Sequence, residues 1–151
     1  MPHLQLDLPS RYPLEVKRVL AQRLGGLYAA IMQTTPDIVH VTFRELGEGN
    51  VWHCGTSEPA PAAVMSCDIR RGRPPEQRER LGAALHEACV ETLGLDPLRL
   101  TIEFTQHAGD EIFGKTLVDG VLRGGLAQDW TPDETATPLM DTLKAAARRA
   151  G

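Results

Sequence analysis

One order of signals occurs twice in this chain, and it limits the folds available more than any other feature. Leu4, Leu6 and Leu8 alternate with polar residues, the two-residue period of a half-buried strand. After the turn at Ser10-Arg11-Tyr12-Pro13, Val16, Val19/Leu20, Leu24, Leu27 and Ile31 recur at three- and four-residue steps. That spacing predicts an amphipathic helix of about 19 residues with proline at or near its first position. Thr34-Thr35-Pro36-Asp37 ends it, and the β-branched and aromatic run 38–43 reads as a strand. About 60 residues later the order returns. Residues 62–69 form a strand, and Pro74-Pro75-Glu76 open a helix. Leu81, Leu85, Ala88 and Thr92 mark its buried face, with Ala84 and Cys89 at the shoulders. Gly94, Leu95 and Pro97 form a helix stop, and 98–104 alternates as a strand.

A helical crossover between strands implies that they pair in parallel. The expected fold class is therefore α/β (α+β), with two tandem β-α-β units in a single domain spanning 1–151. The first unit covers 1–46 and the second 62–105. Residues 47–61 form a connector with one hairpin strand around Val51-Trp52-His53-Cys54. The C-terminal extension, 106–151, is broken by Gly114, Gly120, Gly124 and Gly125. It has capping-box form at 131–134 and ends in a short helix at 138–149, whose thin apolar face suits packing on a neighbouring subunit. Gly25-Gly26 inside the first helix costs about 1 kcal/mol per glycine relative to alanine, so close backbone approach is expected there.

Net charge is −4, and Arg70-Arg71-Gly72-Arg73 is too short a cluster to make a nucleic-acid surface. No apolar run reaches the roughly 20 residues of a membrane helix, and no signal segment opens the chain, so a cytoplasmic protein is expected. Cys54, Cys67 and Cys89 are odd in number and form no CxxC, which favours buried reduced thiols. His53 and Cys54, as neighbours in a strand, point to opposite faces, and the five histidines form neither HxxxH nor HxH. No metal or other cofactor is expected.

The chemistry-bearing residues lie at the start of the chain and at one turn. A methionine followed by proline is normally trimmed, which would leave Pro2 as a terminal secondary amine carried on a strand. In an apolar pocket near cations such an amine loses affinity for its proton and becomes a general base near neutral pH. Arg70 and Arg73 lie where the second unit's first strand meets its helix. A guanidinium fork binds a carboxylate bidentately and stabilises enolate charge. A base with an anion clamp is the minimum equipment for moving a proton between carbon or enol oxygen and another carbon. Packing of units or of subunits must bring the arginines to Pro2. Arg71 reads as solvated.

Terminal proline on a strand, two β-α-β units and the arginine turn together resemble the tautomerase superfamily, with its 4-oxalocrotonate tautomerase-like fold. Chain length and the run from Ile69-Arg70-Arg71-Gly72-Arg73 to Glu76-Gln77-Arg78 look most like its cis-3-chloroacrylic acid dehalogenase branch, over residues 2–113. The resemblance implies a homotrimer with a barrel-like core, catalysis by Pro2, Arg70 and Arg73 without a cofactor, and a small carboxylate substrate. This chain also departs from the dehalogenase. Glu103 stands at a tyrosine's place, where it either activates water or faces solvent. Tyr28 stands at a helical histidine's place. Asp110-Glu111-Ile112-Phe113-Gly114-Lys115 looks like the corresponding end of malonate semialdehyde decarboxylases, and Asp37 sits near that group's catalytic aspartate. Phe113 is either an apolar wall near Pro2 or simple core. These features imply a tautomerase acting on small enol or keto carboxylates, with Tyr28, Asp37, Glu103 and Phe113 as pocket candidates. The alternatives are a haloacrylate dehalogenase or hydratase, a malonate semialdehyde decarboxylase-like lyase, and a non-catalytic trimeric binding protein.

Overall fold

The computed structural model describes residues 2–131. The first unit is β1 (His3–Leu8), α1 (Leu14–Met32) and β2 (His40–Glu45). A connector with the short strands β3 (Trp52–His53) and β4 (Ala60–Pro61) leads to the second unit, β5 (Ala63–Arg70), α2 (Pro75–Leu93) and β6 (Leu100–His107). A hairpin of β7 (Phe113–Val118) and β8 (Val121–Leu126) follows. The main sheet has the order β2-β1-β5-β6. Pairing is parallel within each unit and antiparallel between β1 and β5, where the units meet. The expected two-unit α+β architecture is therefore observed.

Strand alternation decides which face the helices cover. Leu4, Leu6 and Leu8 on β1 and Met65, Cys67 and Ile69 on β5 are fully buried. They share one core with Leu20, Leu24, Tyr28 and Met32 of α1 and Leu81, Leu85 and Cys89 of α2. The intervening residues fall on the opposite face. There Ser66 donates to Glu103 (3.0 Å), and Thr105 donates to Asp68 (3.0 Å). Burial pushes the Cys67 and Cys89 thiols up to about 12, whereas Cys54 is exposed, contrary to the expectation of buried thiols throughout. No helix among the described residues is long and apolar enough to cross a membrane.

Several boundaries differ from the periodicity for local reasons. β2 begins at His40 because Pro36–Ile38 first makes a 3₁₀ turn, closed by the Val39 amide on the Pro36 carbonyl (3.0 Å). β6 begins at Leu100 after the matching turn Pro97–Arg99, capped by Asp96 accepting from the Leu98 amide (2.9 Å). α2 stops as expected, with Gly94 left-handed at φ +67°. The expected close approach at Gly25-Gly26 is absent. A Cβ on Gly25 would make only an ordinary 3.9 Å contact with Pro36, and one on Gly26 would meet nothing within 4 Å. The connector forms a two-strand ribbon, with Trp52 opposite Pro61 and His53 opposite Ala60. In the extension, Asp119-Gly120 turns a hairpin that the sequence argument left irregular. Their φ values of +51° and +77° are those of a type I′ turn. The expected helix at 138–149 and most of the capping box lie outside the described residues.

Leu6 is fully buried in a central strand, whereas Leu14 is 79% exposed. Leu6→Ala is expected to lower stability by about 2–5 kcal/mol. Leu14→Ala should change it by less than about 0.5 kcal/mol. Urea unfolding of both variants checks the contrast.

Candidate active site

Antiparallel pairing of the two units gathers six element ends at one end of the sheet. The starts of β1 and β2 lie there with the ends of β5 and β6. So do the last turn of α1 and the first turn of α2, which is held to it by the Gln77 side-chain amide donating to the Ile31 carbonyl (2.9 Å). The β1–β5 register ends with His3 opposite Asp68. Continued by one residue, it sets Pro2 beside Ile69, next to Arg70. Of the two routes open on sequence, packing of units already brings the first residue of β1 to the arginine turn within one chain. Pro2 is buried, and its carbonyl accepts from the His40 amide (3.1 Å).

Arg70 and Arg73 are 5% and 6% exposed, unusual burial for charged residues. The Arg70 Nη1 donates to the Gln128 carbonyl (2.8 Å), and the Arg73 Nη2 donates to the Met32 carbonyl (3.1 Å). α1 has no basic residue in its own last turn. Arg73 therefore brings a cation to carbonyls that the helix leaves without an internal partner. Tyr28 lies fully buried on α1. Burial pushes its phenol up to about 12, while the Arg73 and Arg70 charges pull the other way. It is therefore a neutral hydroxyl at neutral pH, in electrostatic reach of both guanidinium groups.

The other named residues are placed differently. Asp37 is at the same end of the sheet, in the turn leading into β2, but exposed and taking the Thr35 hydroxyl. Glu103 is exposed in the middle of β6, accepting from Ser66. Phe113 begins β7, is 61% exposed, and lies against Gly124. Arg71 is largely exposed and pairs with Asp129 (3.0 Å). The structure thus gathers Pro2, Arg70, Arg73 and Tyr28, places Asp37 at their margin, and leaves Glu103 and Phe113 apart.

Sequence reasoning missed the segment that closes over this turn. Ala127 docks on Ile38. The Trp130 amide donates to the Arg71 carbonyl (2.9 Å), and the Asp129 carboxylate accepts from the Gly109 amide (2.7 Å). The Trp130 ring centroid lies 5.4 Å from the Arg73 guanidinium carbon. Two glycines make room for it. A Cβ on Gly72, at φ +123°, would fall 2.0 Å from the Trp130 carbonyl oxygen, and one on Gly109 would fall 1.8 Å from the Gln128 carbonyl carbon. Also missed was His107, the cross-strand partner of Arg70, whose Nδ1 is 2.9 Å from Asp68 Oδ1. Among the described residues, no group of three or more His, Cys, Asp or Glu is placed to hold a metal ion.

Residues 66–113, nearly the whole second unit, match the family model for tautomerase enzymes. No curated protein matches the sequence. Among solved structures, the chain resembles a member of the cis-3-chloroacrylic acid dehalogenase family at 18% identity and TM-score 0.65, over 97% of this chain and 99% of that one. It resembles native fused 4-OT at 21% identity and TM-score 0.65, over 79% of this chain and 94% of that one. A malonate semialdehyde decarboxylase inhibited by 3-bromopropiolate aligns at 15% identity and TM-score 0.61, over 72% and 86%. At these identities the structural likenesses establish the fold. The family match falls on the unit that carries the arginine turn.

The Gly109 amide and then the Arg71 guanidinium hold the Asp129 carboxyl below its ordinary range. A carboxyl whose folded pKa is depressed contributes stability above its unfolded pKa and loses that contribution as pH falls through the folded value. The gap in melting temperature between the parent and Asp129→Asn is therefore expected to hold constant from about pH 6 to 8 and to close in acid, below about pH 4. Melting curves across that range check it, and a gap independent of pH would contradict it.

Proposed function

We propose that the protein is a cofactor-free tautomerase acting on small enol or keto carboxylates, with Pro2 as the acid–base group and Arg70 and Arg73 as the anion clamp. The observation that carries this reading is the convergence of the β1 start and the two buried arginines at one end of the sheet. Removal of Met1 would expose the Pro2 nitrogen there as a secondary amine. Burial and neighbouring guanidinium charge both disfavour its protonated form. Near neutral pH it then takes a proton from the enol oxygen and returns one to carbon, so that the substrate is isomerised with no net gain or loss of atoms. The guanidinium groups hold the carboxylate and offset the negative charge that develops on the neighbouring oxygen. Tyr28, neutral at this pH, lies behind the pair on α1. By analogy with relatives whose fused 4-OT forms are described as trimers, the working unit is a homotrimer.

Two observations favour other readings of the same site. Asp37, exposed at the same end, suits a lyase or hydratase that holds Pro2 protonated and uses a carboxylate to polarise substrate or direct water. The pH–rate profile separates these, since a base requires the neutral amine and an acid the cation. The carbonyl contacts of Arg70 and Arg73 also suit a trimeric binding protein in which both arginines serve the fold.

Intact mass is expected to show the chain without Met1. Pro2→Ala, which keeps a terminal amine of different basicity and rigidity, is expected to lower turnover of phenylenolpyruvate by about 10²–10⁴-fold, with the folded state unchanged. Ultraviolet absorbance follows the reaction. An undiminished rate, or a retained Met1 blocking the nitrogen, would contradict the proposal.

A further inference from the structure

We infer that Trp130 is the specificity-determining residue of this site: its indole holds Arg73 in place, bounds the room beside it, and offers an N–H to an oxygen of the bound carboxylate. The inference rests on the tautomerase reading for its substrate class, but its geometry stands apart from that reading.

The 127–130 segment is held along its whole length. Ala127 donates its amide to the Ile112 carbonyl (3.1 Å), and the Gln128 carbonyl accepts from Arg70 (2.8 Å). Asp129 takes the Gly109 amide and the Arg71 side chain, and the Trp130 amide closes on the Arg71 carbonyl (2.9 Å). So many anchors over four residues fix the backbone that carries the ring. Gly72 and Gly109 are the sequence positions that permit this approach, because a side chain at either would overlap the segment's backbone.

The fixed ring lies over the Arg73 guanidinium, whose Nη2 also donates to the Met32 carbonyl. An indole face attracts and orients a guanidinium, and a plane held in this way loses less freedom when it takes up a carboxylate. Trp130 is only 7% exposed. Its Nε1 is buried and has no hydrogen-bond partner among the described residues. A buried donor left unmade costs free energy, and such groups in a folded protein call for an explanation. An anionic oxygen held by Arg73 at the rim of the ring, in line with the N–H, would supply the missing acceptor. The same ring walls a cleft with Ile31, Gln33, Pro74, Glu76, Gln77 and Arg80. A short 2-oxo or 2-hydroxy acid leaves this wall undisturbed, whereas a long chain must displace it.

The chain has two tryptophans, and Trp52 is half exposed on β3. Trp52→Phe therefore makes Trp130 the single emitter. Titration of this variant with pyruvate is expected to give a saturable change in emission, and 2-oxo acids of increasing chain length are expected to bind progressively more weakly. W130F keeps a ring and loses the N–H. It is expected to raise KM for phenylenolpyruvate by about tenfold or more with kcat within about twofold, the size of one hydrogen bond to a charged group. W130A is expected to lose the discrimination between short and long 2-oxo acids, read as inhibition constants. Absence of any emission change, or a W130F variant with parental KM and chain-length discrimination, overturns the inference. Saturable binding at Trp130 by a parent protein that turns over no enol would instead overturn the tautomerase reading and leave the inference standing.

Discussion

The structure depends on the antiparallel pairing of β1 with β5. Each β-α-β unit alone would be a parallel pair with one helix, exposing an edge and half a core. Joined through Leu4–Cys67 and Leu6–Met65, the units bury the inward rows of β1 and β5 against both helices. The same pairing has a chemical consequence. It reverses the second unit relative to the first, so the start of one strand lies beside the end of the other. A parallel joint would have put Pro2 and the arginine turn at opposite ends of the sheet.

That end of the sheet is also where charge is hardest to bury. Two guanidinium groups sit there almost without solvent, a costly arrangement unless their donors are met. The chain meets part of this demand with main-chain carbonyls from the end of α1 and from the 127–130 segment. The arrangement serves the fold and prepares the site together. Arg70 is oriented by the Gln128 carbonyl, and Arg73 by the Met32 carbonyl and the Trp130 indole, before any anion is present. On the proposed function, a small anion meets a site whose ordering cost was met on folding.

Most of the fold was legible because its signals are local. The leucine alternation of β1, the three-and-four spacing of both helices and the Gly94-Leu95-Pro97 stop each act within a few residues. Arg70 and Arg73 were legible as a pair, because their position at a strand-to-helix turn is itself a local feature. The Asp119-Gly120 turn carried an equally local signal between two apolar runs, masked by the other glycines scattered through the extension. Other features had no local signature. The sign of the β1–β5 pairing depends on how two separate units meet. Trp130 reaches Arg73 across 57 positions of sequence, through backbone bonds that any residue type could make. Gly72 and Gly109 were its indirect trace, since glycine there answers to a backbone that is distant in sequence. Gly25-Gly26 invited the same inference, and the structure gives those two no such neighbour.

The central claim is that the Pro2 nitrogen, once free, stands among buried guanidinium groups and exchanges its proton near neutral pH. Nitrogen-15 labelling of proline and a direct NMR titration of the Pro2 amine test this without reference to any substrate. The account predicts an apparent pKa clearly below that of a solvent-exposed terminal proline in a peptide of the same opening sequence, moving back toward the peptide value when Arg70 is replaced by alanine. A titration indistinguishable from the peptide's, unmoved by that replacement, would contradict it.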